Sequence, residues 1–185
     1  MAHVGSPKGA GAGAARFAVV SGSDGGVLPA TASVAVGVAA SPEVLWPLVC
    51  DPAMPARFSD EVEAAAFLDA AIPALGAVIE GRNVNGEARW TTHSTVVVCD
   101  PPTTFSWATG GAEAPAATWT FTVRPADGGA TLTHTVVLHE GREPLAGAIA
   151  AAPEQAAEIV DGRMAVLVAN MQQTVDGIAR LAEKG

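Results

Sequence analysis

At 185 residues, 49 % of them hydrophobic, the chain is long enough for one domain with a substantial core and too short for two full ones. Ten lysines and arginines stand against nineteen aspartates and glutamates, a formal net charge of −9 at pH 7 that nucleic-acid phosphates and anionic bilayers repel, so nucleic-acid binding is not expected. Tyrosine is absent, which leaves no phenol as an acid, base or hydrogen-bond donor.

Residues 1–31 are rich in glycine, alanine and serine, as in Gly9-Ala10-Gly11-Ala12-Gly13 and Ser21-Gly22-Ser23. They bury little and lose much entropy on ordering, so a flexible tail is expected ahead of a single domain over 32–185. The alternative is that Arg16 to Val20 adds an edge strand or lid, because Phe17 and two valines can pack. The apolar stretch from Phe17 to Val20 is shorter than the roughly 7–15-residue core of a signal peptide. No run approaches the roughly 18 apolar residues of a membrane span, so a cytoplasmic protein without stable membrane insertion is expected.

From Ser33, valines at 34, 36 and 38 alternate with Ala35, Gly37 and Ala39, which is strand period. Ser41 then offers an N-cap, Pro42 suits the first helical position and Glu43 favours the positive end of the dipole. A short helix is predicted there, kinked or shortened at Pro47 by the missing N–H, with a second helical turn over 55–59. Strands follow over 62–68, 77–84, 87–99, 103–109, 117–124 and 130–138, separated by Gly, Pro and Asp signals, and make seven with the first. Asp127-Gly128-Gly129 joins the last two as an antiparallel hairpin. Over 153–183 Val160, Met164, Leu167, Met171, Val175, Ile178 and Leu181 recur at three- and four-residue spacings, the stripe of one long amphipathic helix. Such a helix gripped by a curved sheet leaves a space between them.

Alternation assigns side chains to that space. Trp119, Phe121 and Val123 oppose Thr118, Thr120 and Thr122, and Leu132, His134 and Val136 oppose Thr131, Thr133 and Thr135, so the aromatic rings and His134 are expected inside. Trp90, Thr92, Ser94, Val96 and Val98 share a face, as do Ile79, Gly81 and Asn83, and Phe105 and Trp107. A β-bulge in 87–99 would reverse part of that face. Mostly apolar walls with sparse polar groups suit a small-molecule pocket, although aromatic residues on inward faces also serve simply as core. His134 is either a hydrogen-bonded structural residue or an acid/base. Arg163, beside the helix stripe, either holds a ligand oxygen through its forked donors or pairs with Asp161 or Glu158.

Cys50 and Cys99 are expected as unpaired thiols, a disulfide being the alternative. His3, His93, His134 and His139 lack zinc-binding spacing, and no phosphate-cradling loop or nucleophile elbow is present, so no metal and no cofactor are expected.

Ser41-Pro42-Glu43 with Trp46, Asp51-Pro52, Phe58-Ser59, the run from Gly76 to Trp90, Asp100-Pro101-Pro102, Trp119, Gly128-Gly129, and Arg163 with the segment from Met171 to Leu181 fall in order on the elements just assigned. In that order the chain resembles the SRPBCC superfamily of START-like, Bet v 1-like proteins, and within it the polyketide cyclase/dehydrase family. The resemblance implies an α+β helix-grip fold: a curved seven-stranded antiparallel sheet around a long C-terminal helix, with two short helices after the first strand. It implies a cavity that takes a small hydrophobic or aromatic ligand, for which the positions picked out by face and stripe, Ile79, Asn83, Trp90, Thr92, Trp107, Trp119, Phe121, Arg163 and Met171, are the candidate binding residues. Three functions stay open: a binder of such a molecule, a cyclase/dehydrase using His134, and a partner-binding accessory module. A monomer or homodimer is expected in each case.

Overall fold

The computed structural model describes residues 16–17, 29–68, 72–139 and 144–185. The elements run β1 (Arg16–Phe17), β2 (Ala30–Val38), α1 (Pro42–Val49), a 3₁₀ turn (Pro55–Arg57), β3 (Val62–Phe67), β4 (Val78–Asn85), β5 (Ala88–Asp100), β6 (Thr104–Thr109), β7 (Ala117–Ala126), β8 (Gly129–Leu138), α2 (Pro144–Ala151), a 3₁₀ turn (Pro153–Gln155) and α3 (Ala156–Ala182). All neighbouring strands are antiparallel in the order β1-β2-β8-β7-β6-β5-β4-β3. Seven of them are the expected meander, closed at one edge by β2, and the long helix packs across its concave face. This is the helix-grip arrangement.

Arg16 and Phe17 pair with Ser33 and Ala32 at the β2 edge. The glycine-rich runs expected as tail, and Ala18 to Val20, lie outside the described residues, while Ala30 and Thr31 already belong to β2. α1 contains Pro47 and continues to Val49. The second short helix is a single 3₁₀ turn.

One assigned face changes along its length. β5 shifts register between Val96 and Val98, a bulge that turns Val98 outward, where it is 39 % exposed. Thr92 and Ser94 precede the bulge and keep the inward face. α2 has no counterpart in the sequence reading, because Pro144–Ala151 is alanine-rich with no polar face to set a helical period.

The core is made by the α3 stripe against β2 and the β6–β8 wall. Val160, Met164, Leu167, Met171, Val175 and Ile178 are buried on α3, facing a sheet layer that includes Val34, Phe105, Phe121, Leu132 and Val136. Each such side chain contributes roughly 1.5–3 kcal/mol by leaving water. Gly177 lets α3 approach closely: a Cβ there would fall within the van der Waals shell of the Phe58 ring. Gly177→Leu is therefore expected to destabilise the fold by about 2–3 kcal/mol through overpacking, read as a lower urea midpoint. An unshifted midpoint would mean that Phe58 moves aside freely.

Candidate functional site

Between the concave sheet face and α3 lies a cavity of about 780 Å³, inside the roughly 300–1,000 Å³ range of small-molecule sites. Register builds its aromatic wall. Trp107 of β6 lies directly opposite Trp119 of β7, and Phe105, Phe121 and His134 follow one another across β6, β7 and β8. The two indoles stack with centroids 6.3 Å apart and planes 10° apart. The His134 ring stacks on Phe121 at 4.1 Å, with Trp107 and Trp119 centroids at 6.0 and 5.7 Å.

The facing wall, from β4 and β5, is mixed. Ile79, Asn83, Trp90 and Thr92 border the cavity there. Gly81 sits opposite Thr92, and a Cβ at 81 would stand 2.8 Å from Thr92 Oγ1. The glycine thus makes room for a hydroxyl that donates to the Gly81 carbonyl at 3.4 Å and accepts from Asn83 Nδ2 at 3.2 Å. Ser94 and Thr109 hydroxyls bond to each other at 2.9 Å across β5 and β6. Met171 and Arg163 close the cavity from α3, so the structure brings all ten sequence-selected residues to one space.

His134 is 4 % exposed, and neither ring nitrogen has a hydrogen-bond partner among the described residues. Burial away from any compensating charge lowers its pKa to about 3, so the imidazole is neutral at ordinary pH. Cys50 and Cys99 are free thiols, and burial, with Cys99 nearby, raises the Cys50 pKa to about 12, which makes that thiol inert.

Neighbours on its own helix suggest Asp161 or Glu158 as partners for Arg163; in the fold it pairs with Glu61 instead. Arg163 Nη1 and Nη2 donate to Glu61 Oε2 and Oε1 at 2.6 and 2.5 Å, a bidentate pair between α3 and the segment before β3. The reason is directional, since residues two and five apart on a helix do not share a face. The same segment is tied to α3 by the Asp60 N–H, which donates to Asn170 Oδ1 at 2.9 Å, and by Gln173 Nε2, which donates to Asp60 at 3.4 Å. Glu61 is thus a cavity residue that sequence reasoning did not select. Its partner lies 102 positions away, and no local pattern signals that pairing. Phe105 and Leu167 also border the cavity, and both were legible as inward positions without being assigned a binding role.

The sequence model of a family described as polyketide cyclase / dehydrase and lipid transport matches residues 29–181. No curated protein matches the chain in sequence. Among solved structures, a polyketide-cyclase-like protein of Corynebacterium glutamicum is 23 % identical with a TM-score of 0.60, over 83 % of this chain and 91 % of the other. The Zhui aromatase/cyclase of Streptomyces sp. R1128 is 17 % identical with a TM-score of 0.60, over 83 % and 93 %. Ara h 8.0201 is 14 % identical with a TM-score of 0.55, over 84 % and 98 %. At these identities the structural likeness speaks for the fold alone.

Proposed function

Because the chain belongs to the polyketide cyclase / dehydrase and lipid transport family, we propose that its cavity binds a small hydrophobic, ring-containing molecule as a carrier, sequestering or sensing protein. The observation that carries this reading is the cavity of about 780 Å³ walled on one side by the stacked Trp107–Trp119 pair. Indole faces offer large apolar area with few rotatable bonds, which suits flat apolar ligands. Asn83, Thr92, Ser94 and Thr109 supply the few polar contacts that orient such a ligand.

Cyclase or dehydrase chemistry carried by His134 is less well supported. A general acid/base works best with a pKa near the operating pH. Burial moves His134 to about 3, so near neutrality its protonated form is scarcely populated and its neutral form is a weak base.

Titration with 1-hydroxypyrene tests the reading, with native mass spectrometry of freshly purified protein identifying any molecule already held. Saturable one-to-one binding supports it; no binding of flat aromatic ligands, together with a mass spectrum free of adducts, contradicts it. Trp107→Ala and Trp90→Ala are each expected to weaken 1-hydroxypyrene binding by about 1–3 kcal/mol through lost apolar contact. Equal affinity in both variants and the wild type would reject the wall assignment.

A further inference from the structure

Among the described residues, each arginine that borders the cavity already has a carboxylate partner. Among the described residues, the arginines that border it are Arg163 and Arg89. Both terminal nitrogens of Arg163 are committed to the two oxygens of Glu61. Arg89 Nε meets Glu63 at 3.0 Å, and its Nη1 donates to the Gly86 and Ala88 carbonyls at 3.0 and 3.2 Å. His93, also at the border, faces Glu80 at 3.3 Å. The Arg163–Glu61 pair is the most enclosed of these, with side chains 24 % and 11 % exposed.

We propose that Glu61, by occupying the Arg163 guanidinium, makes the cavity selective for uncharged ring ligands and excludes their carboxylates. The inference rests on the binding reading above and names the ligand class that this site accepts. A carboxylate entering the cavity has two options. It can stay unpaired, which costs several kcal/mol for a buried ion even after relaxation. Otherwise it must take Arg163 from Glu61, whose geometry is already fixed by the fold, and then leave the Glu61 carboxylate unpaired in its place. A net charge of −9 adds a longer-range repulsion, reduced by salt. A hydroxyl or ketone on the same ring meets neither obstacle, because Asn83, Thr92 and the Ser94–Thr109 pair are neutral polar groups.

The test compares two fluorescent probes with the same ring system, 1-hydroxypyrene and 1-pyrenecarboxylate, at pH 7 where the acid is ionised. The wild type is expected to prefer the hydroxyl probe by at least about tenfold, the consequence of leaving one carboxylate without a partner. Glu61→Gln keeps the side-chain shape and releases Arg163, so it should cut that preference by about tenfold or more, through a new charge-assisted bidentate contact. Adding Arg163→Met to Glu61→Gln removes the released cation and should restore the preference. Equal wild-type affinities for the two probes overturn the inference, as does a Glu61→Gln protein that keeps the full preference. The wild-type ratio decides even if Glu61→Gln folds poorly. Binding of neither probe to the wild type is a different result, since it removes the binding reading itself.

Discussion

His134→Phe is expected to be more stable than the wild type, by about 1–3 kcal/mol near neutral pH, because it deletes two buried nitrogens that have no partner among the described residues while keeping a ring stacked on Phe121. The advantage should grow as the pH falls. Unfolded, the imidazole takes up a proton near its ordinary pKa of 6.5; folded, it resists protonation until about 3. Between those values the unfolded chain binds one more proton than the native one. Stability from this group is therefore complete above about 6.5 and is lost progressively as the pH drops toward 3. At pH 4 the added penalty in the wild type is on the order of 3 kcal/mol, which the phenylalanine variant does not carry. Urea unfolding of both proteins at pH 7 and pH 4 isolates the term, since the carboxylates titrating in that range are common to both. Equal stability at both pH values would mean that the nitrogens are satisfied in solution and that the imidazole is not sealed.

The position of His134 also bears on what kind of protein this is. An acid/base residue needs contact with a proton source or a reacting atom, and here neither nitrogen has a hydrogen-bond partner among the described residues, while the ring lies against Phe121 and near the two indoles. The imidazole serves as a flat member of the aromatic wall. Its polar atoms cost stability that an apolar ring would not.

Much of this architecture was legible in the chain. The alternation in 117–124 and 130–138 assigned Trp119, Phe121 and His134 to the interior, and the two-residue Asp127–Gly128 turn, with Gly128 at φ +79°, fixed their mutual register. The α3 stripe was readable from its three- and four-residue spacing and is buried as expected, apart from the half-buried Leu181. What could not be read depends on tertiary contact. The bulge at Val96–Val98 follows no local turn chemistry, so Val98 is misassigned by alternation alone. The β1 pairing involves two residues on an edge, too few for a period. Glu61 stands just before a strand with nothing in its surroundings to mark it, and its role exists only because α3 returns Arg163 to it.

The Glu61–Arg163 pair should behave asymmetrically under mutation, and the asymmetry bears on why the pair is there. Arg163→Met leaves Glu61, 9 % exposed, as an uncompensated buried carboxylate, and is expected to cost about 3–5 kcal/mol. Glu61→Gln should cost less, roughly 1–2 kcal/mol, because it leaves no unpaired carboxylate behind and the released, more exposed Arg163 can turn toward water. The Glu61→Gln/Arg163→Met double variant should recover stability relative to Arg163→Met alone, with a coupling energy of at least about 1 kcal/mol. A buried ion pair is often no more stabilising than well-packed neutral side chains in its place, so a stable double variant would show that the fold does not need the charges. Selection of the ligand's charge would then be the remaining role for them. Urea unfolding of the four proteins measures the cycle, and a double variant no more stable than Arg163→Met would instead make the pair a structural clasp that holds the segment before β3 onto α3.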